Sequence, residues 1–347
     1  NLLDDAAAMK ALDPAGMLGH LEGFPGQMRE AMEIGRGAEL KVPGDGISSV
    51  VVLGMGGSAI GGELVGAYLF DEIRVPIEVV RGYEVPGYVG ADSLAVVSSY
   101  SGNTEETLAA YREAAGRGAR IVCFSTGGEV GDTASGAGHD LVRIPGGLPP
   151  RAALAYSLLP LLIVLSRLGL ASERWDEMEE AAEVAGQAVA LYGVESAAGS
   201  NRAKDLAVWL QGKIPVVYGA PPWTRVVANR WMGQFSENAK VVAHRNDLPE
   251  MNHNEIVGWS GELPLAASSR VVFLRDEGDH PRIVRRIELT REEIARSGAE
   301  TRTAESFGDS KLGRLISLVS LGDFASFYLA MLGGVDPTPV KPIDRLK

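Results

Sequence analysis

Residues 47–60 read Ile-Ser-Ser-Val-Val-Val-Leu-Gly-Met-Gly-Gly-Ser-Ala-Ile. A β-branched run is cut by a glycine-rich turn. An amphipathic stretch follows, with Ile60, Leu64, Val65, Tyr68 and Leu69 on roughly one face. Strand, glycine turn and helix in that order open a parallel α/β unit. Working outward, residues 77–80, 93–98, 120–125 and 141–144 read as further strands, and residues 104–117 as a helix. Upstream, residues 13–40 read as helical, with Asp13 before Pro14 as the start signal. Downstream, Pro-Gly-Gly-Leu-Pro-Pro at 145–150 is a break, residues 151–168 are an apolar helix and residues 171–190 a solvated linking helix.

The second half repeats the rhythm. Strands are expected at 214–218, 241–243, 270–274 and 300–303, and helices at 224–239, 281–297 and 311–332. Two α/β halves of similar rhythm suggest a tandem duplication. The expected fold is therefore α/β, with two flavodoxin-like domains, each a parallel sheet in an αβα sandwich. The first spans residues 1–170 with a leading helical segment, and the second spans 171–347. The last segment, from Asp336, carries two prolines in its first residues and is expected to leave its domain and dock elsewhere.

Composition agrees with that size. The chain has 347 residues, 46% hydrophobic and 22% charged, which suits two domains that need no staple to hold a core. Cys123 is the sole cysteine, so an intrachain disulfide is impossible and a reducing, cytoplasmic setting is expected. Thirty-three basic against 45 acidic side chains leave a net charge of −12, a poor balance for binding nucleic acid or an anionic membrane. Residues 1–20 contain no apolar signal core, although a chain that starts at Asn1 leaves room for a lost leader. The uncharged apolar stretch 152–166 falls short of the roughly 20 residues a membrane helix needs.

Two glycine-containing turns carry candidate chemistry. The first is Gly54 to Ser58. Glycines let the backbone approach a ligand, and the helix that follows offers its N-terminal N–H groups. Gly54, Gly56 and Ala59 fit a loose dinucleotide fingerprint, with Glu78 as the ribose acid, and no Gly-Lys-Ser/Thr follows to make a P-loop. A plain strand–helix turn is the competing reading. The second turn is sharper. Residues 98–107, Ser-Ser-Tyr-Ser-Gly-Asn-Thr-Glu-Glu-Thr, set three hydroxyls, Ser99, Ser101 and Thr104, between a strand and a helix. Hydroxyls with helix N-terminal amides make a neutral phosphate cradle that needs no lysine. The competing reading is a well-capped helix start, but three hydroxyls exceed what a cap uses.

At these residues the sequence resembles the sugar isomerase (SIS) domain family. More narrowly it resembles the bifunctional phosphoglucose/phosphomannose isomerases. The matching segments are GMGGSAIGG at 54–62, SYSGNTEET at 99–107, PPRAALAYS at 149–157, ENAK at 237–240, PEMNHNEIVGW at 249–259 and DPTPVKPIDRLK at 336–347. The resemblance implies two tandem SIS domains. It implies an enzyme that interconverts glucose 6-phosphate and mannose 6-phosphate with fructose 6-phosphate through a cis-enediol, without metal or cofactor. Gly56, Gly57 and Ser58 would hold the sugar, and Ser99, Ser101 and Thr104 the phosphate.

The second half supplies what such a reaction needs. Moving a proton between C1 and C2 takes one base of suitable pKa. Glu237 lies late in an apolar-faced helix, where partial burial favours that role; a surface glutamate is the alternative on the segment alone, and the resemblance implies the base. His253, between Asn252 and Asn254, can move the proton that opens the sugar ring, with the asparagines holding its tautomer. By resemblance, His253 reaches the partner's site in a homodimer. Arg151, after two prolines, is a cation for the substrate phosphate or the enediolate; in the family the matching arginine lines the site, which favours the enediolate. Lys347 is by resemblance the lysine that contacts the sugar during ring opening, with Lys341 its rival. The strip Thr338-Pro339-Val340 is where tolerance of both C2 epimers is expected.

No His-x-His or cysteine pair suggests a metal site. The alternatives are a non-catalytic sugar-phosphate sensor, disfavoured because no basic cluster precedes the first strand, and an isomerase of another sugar phosphate, disfavoured by the tandem halves.

Overall fold

The valines of the opening stretch form a strand that is buried from end to end. In the computed structural model, which describes the chain apart from Asn1, residues 261–263 and Lys347, β1 is Ser49–Leu53. Its parallel neighbours are β2 (Ile77–Val80), β3 (Ser93–Ser98), β4 (Arg120–Ser125) and β5 (Asp140–Arg143), in the order β2-β1-β3-β4-β5. A parallel sheet covered on both faces needs apolar residues on both, which is why these strands read as continuous runs rather than alternating ones. Val51, Leu53, Ala95, Val97, Ile121 and Cys123 form one face, against Leu108 and Tyr111 of the helix Glu105–Gly116. On the other face Val52 meets Gly62 of the helix Gly56–Tyr68.

The second sheet contains β6 (Ile214–Gly219), β7 (His244–Asp247), β8 (Ser269–Arg275) and β9 (Glu300–Glu305), all parallel, in the order β7-β6-β8-β9. The first strand of each half is flanked by the second and third, so the expected repetition is present at the level of topology. The strand expected at 241–243 is displaced. Those residues are irregular, and β7 starts at His244, paired with Val216. Edge strand β7 is His-Arg-Asn-Asp, so pairing with β6 rather than side-chain pattern sets it.

The expected helix at 13–40 is two helices, Met17–Glu22 and Phe24–Gly37. Asp13 does serve the start of the first, with its carboxylate accepting the N–H groups of Met17 at 2.8 Å and Leu18 at 2.9 Å. The chain divides into two compact units, residues 24–179 and residues 1–23 with 180–347. The expected boundary near residue 170 thus lies close to the division at 179/180, but the first 23 residues group with the C-terminal half. In that unit they have partners of their own: the N–H of Ala198 donates to Asp4 at 2.9 Å, and that of Val194 to Glu22 at 3.4 Å.

The centre of the C-terminal unit is the helix Lys311–Leu332, which by length and composition alone could cross a membrane and is instead buried inside the unit. Gly322 lets the Trp231 indole lie against it: a Cβ there would sit 2.2 Å from Trp231 Nε1. That nitrogen donates to the carbonyl of Leu318 at 2.8 Å.

Candidate active site

In an open parallel sheet, ligands bind beyond the carboxyl ends of the strands, where adjacent strands send their connections to opposite faces. In the first unit that point lies between β1 and β3. The two turns that follow these strands are the two singled out in the sequence. They are joined by hydrogen bonds. Ser58 Oγ accepts the N–H of Tyr100 at 3.1 Å, and Ser98 Oγ donates to the carbonyl of Ser58 at 3.1 Å.

Within the second turn, Ser99 Oγ donates to Thr104 Oγ1 at 3.3 Å, and Ser101 Oγ accepts the N–H of Asn103 at 3.3 Å. Thr104 stands at the N-cap of the helix Glu105–Gly116 but makes no side-chain cap bond. Its hydroxyl faces Ser99 instead. The capping alternative therefore does not describe this turn. Ser99 is buried, Thr104 half-buried and Ser101 exposed, so the hydroxyls run from the sheet end outward.

Arg151 joins the same place. It lies in the turn Pro150–Ala152 and is buried. Gly57 makes its approach possible, because a Cβ on Gly57 would fall 2.6 Å from the carbonyl oxygen of Pro150 and 3.0 Å from the Arg151 nitrogen. Gly57, Ser58, Ser99, Ser101, Thr104 and Arg151 are thus assembled within one unit. Gly56, with φ of 49°, begins the helix beside them.

At the matching place in the second sheet the turn carries carboxylates with partners of their own. After β8, Asp276 accepts from Arg314 Nε at 2.8 Å, from Ser306 Oγ at 2.7 Å and from the N–H of Gly278 at 2.9 Å, while Asp279 pairs with Arg275 at 2.9 Å. These carboxylates are matched by arginines, where the first sheet has the hydroxyl turn.

The C-terminal unit contributes a different set. Glu237 is the last residue of the helix Thr224–Glu237 and is half-buried. The same helix is fixed against Lys311–Leu332 by a buried polar seam. Arg230 forms a two-pronged ion pair with Asp323, at 3.0 Å through Nε and 2.6 Å through Nη2, and Gln234 Nε2 donates to Asp323 at 2.8 Å. Asn238 Nδ2 donates to Ser326 Oγ at 2.9 Å. Breaking such a buried pair costs about 3–5 kcal/mol, so the seam holds the helix in one register.

His253 ends the turn Glu250–His253 and is exposed. The flanking asparagines do not hold its tautomer as expected. Asn252 Nδ2 donates to Thr290 Oγ1 at 2.8 Å, and Asn254 Nδ2 to Glu250 at 2.9 Å; they pin the turn rather than the imidazole. Lys341 opens an exposed helix, Lys341–Leu346, and Lys347 lies outside the described residues. The tail does not leave its unit at once: Pro337 is buried, and the carbonyls of Pro337 and Pro339 accept from Lys240 Nζ.

Two groups escaped the sequence reading. One is Lys240. The other is Glu255, two residues past His253, which accepts from His244 Nε2 at 3.0 Å and also from Tyr218 and Asn246. Burial pulls the Glu255 carboxyl up, but the hydrogen bonds from His244, Tyr218 and Asn246 outweigh it and hold the group below its ordinary value. The Glu255 hydrogen bond in turn raises His244 above the usual imidazole range. The Glu-Ile sequence after Asn254 gives no hint of this hub, which depends on β6 and β7 lying side by side.

Comparison with known proteins finds relatives of both halves. The family model for the SIS domain matches residues 47–140, and the model for the bacterial phospho-glucose isomerase C-terminal SIS domain matches residues 199–347. The bifunctional phosphoglucose/phosphomannose isomerase of Caldicellulosiruptor bescii is 42% identical over 324 residues, 93% of this chain and 96% of that protein. The enzyme of the same name from Aquifex aeolicus is 38% identical over 86% of this chain and 89% of that protein. Among solved structures, a glucose-6-phosphate isomerase like protein from Thermus thermophilus shares the fold with a TM-score of 0.63 and 20% identity, covering 99% of this chain and 98% of that one. The chain belongs to the bifunctional phosphoglucose/phosphomannose isomerase family and consists of two SIS-type α/β domains.

Proposed function

We propose that this protein interconverts fructose 6-phosphate with both glucose 6-phosphate and mannose 6-phosphate by proton transfer through a cis-enediol, without a metal or cofactor. The observation that carries the reading is the hydroxyl cradle at the β1/β3 switch point with the buried Arg151 packed beside Gly57, in a chain so similar to enzymes named for this pair of activities. Ser99, Ser101 and Thr104 donate hydrogen bonds to the phosphate oxygens, and the adjacent helix N-terminus adds its N–H groups. Gly56, Gly57 and Ser58 bound the sugar. His253 moves the proton between the anomeric hydroxyl and the ring oxygen as the ring opens; Lys347 assists there, with Lys341 as its alternative.

Glu237 then takes the proton from C2 of the open aldose and returns it to C1, while the C1 carbonyl oxygen gains a proton and the C2 hydroxyl loses one. Arg151 neutralises the enediolate oxygen between the two transfers. Both aldoses give the same enediol, because C2 becomes trigonal. One base thus serves both activities, and the face of C2 that is reprotonated decides the product. The net charge of −12 opposes a dianionic substrate, so the buried guanidinium and the helix ends supply the local attraction.

The working unit is a cytoplasmic homodimer in which His253 serves the partner's site. The fold of each half, the sequence likeness and the exposure of His253 support this reading. The test is turnover of fructose 6-phosphate with EDTA present, glucose 6-phosphate and mannose 6-phosphate being read separately. Formation of both is expected. Glucose 6-phosphate alone would remove the second activity, and loss of turnover on adding EDTA would remove the metal-free mechanism.

A further inference from the structure

Lys240 is the one non-glycine residue with positive φ among the described residues, at 58°. It sits just past the helix that ends in Glu237, where the N–H of Val241 reaches back to the carbonyl of Phe235 at 3.3 Å. Helices that close in this way usually place glycine at the left-handed position, because any Cβ is strained there. A lysine held in that conformation directs attention to what its side chain does.

That side chain bends back over the helix end. Its ammonium donates to the carbonyls of Glu237, of Pro337 at 2.9 Å and of Pro339 at 2.7 Å. An ammonium has three protons to give, and three acceptors take them. Two of those acceptors flank Thr338, whose own N–H is held by Asp336 Oδ1 at 2.9 Å. The third belongs to the residue proposed as the base.

We propose that Lys240 is a positioning residue that clamps residues 337–339 to the backbone of Glu237 and so fixes where the carboxylate stands relative to C2 of the sugar. The proposal rests on Glu237 being the base. Since both aldoses share one enediol, a shift of the carboxylate or of the strip beside it changes which face of C2 receives the proton. Lys240 therefore governs the partition between the two products as well as the rate. A misplacement on the order of 1 Å is enough to cost up to about a hundredfold in rate.

Three variants separate this role from simple stability. Lys240→Met keeps the strained backbone and removes the charge, Lys240→Gly removes both, and Lys240→Arg keeps the charge. Lys240→Met and Lys240→Gly are expected to lose about tenfold or more in kcat/KM and to change the glucose 6-phosphate to mannose 6-phosphate ratio from fructose 6-phosphate. The glycine variant is expected to melt no lower than the methionine variant, and Lys240→Arg to recover part of the parent ratio. Parent-like kcat/KM and ratio in both Lys240→Met and Lys240→Gly would overturn the proposal. Hydrogen exchange reads the clamp without activity: the amides of Thr338, Val340, Lys341, Ile343 and Asp344 should exchange faster in Lys240→Met, and unchanged protection would overturn the clamp. If the parent enzyme makes neither aldose, the functional reading fails, while the exchange result still decides whether the clamp exists.

Discussion

Thr104 stands where a threonine hydroxyl ordinarily caps a helix, and it leaves that task undone. Its hydroxyl is paired with Ser99, 3.3 Å away, at the open end of the sheet. A side chain withheld from its usual partner is available to a ligand. Hydrogen bonds to a charged group are worth about 1.5–3 kcal/mol each. Ser99→Ala and Ser101→Ala should each raise KM for fructose 6-phosphate by about tenfold or more, with a smaller effect on kcat and an almost unchanged melting temperature. Steady-state kinetics with thermal melts check this, and an unchanged KM in both would remove the cradle.

These hydroxyls were legible in the sequence because their type and spacing are local. Cys123 was legible too: its apolar strand neighbours predict a core thiol, and burial indeed pushes it up to about 12. Lys240 was not legible, since a positive φ and three carbonyls gathered from distant residues leave no local mark.

At the scale of elements, the long apolar strands and the strand–turn–helix order of the first half could be read within a few residues, because a doubly covered parallel sheet imposes composition directly. Edge strand β7 could not be read, since its side chains are polar and its place comes from pairing with β6. That same edge creates the His244–Glu255 pair, which ties β7 to the segment following His253. Folding raises His244 and lowers Glu255. The histidine's contribution is complete below its ordinary value of 6.5 and fades as pH rises through the raised one. The carboxylate's contribution is complete above its ordinary 4.5 and fades as pH falls through the lowered one. The pair thus helps most between these two values. His244 is half exposed, so screening limits its worth to about 0.5 kcal/mol. His244→Gln should lower unfolding stability by about that much near pH 6 and by less at alkaline pH. Denaturant melts at the two pH values check it; a gap that does not narrow as pH rises would show that charge plays no part.

At the scale of the whole molecule, the second sheet repeats the order of the first four strands of the first, while the turns at their carboxyl ends differ. The turn beyond β3 carries hydroxyls, and the turn beyond β8 carries Asp276 and Asp279 paired with arginines. The repeated topology was visible as rhythm. Where the proposed phosphate cradle lies was visible only through the Ser99–Thr104 turn, and the grouping of residues 1–23 with the C-terminal unit was not visible, because it rests on contacts remote in sequence. The proposed exchange of His253 between subunits has its own signature. In a mixed population of Glu237→Gln and His253→Ala chains, half of the dimers are hybrids, and each hybrid has one complete site if His253 crosses over. About a quarter of parental activity should return on mixing, whereas no recovery would place His253 in its own subunit's site.

The most direct test of the central claim remains Glu237→Gln alone, measured for turnover of fructose 6-phosphate to each aldose and for binding of the same sugar by calorimetry. Loss of both activities by at least about a hundredfold, with binding retained, is the predicted result. Near-parental formation of either aldose would contradict it.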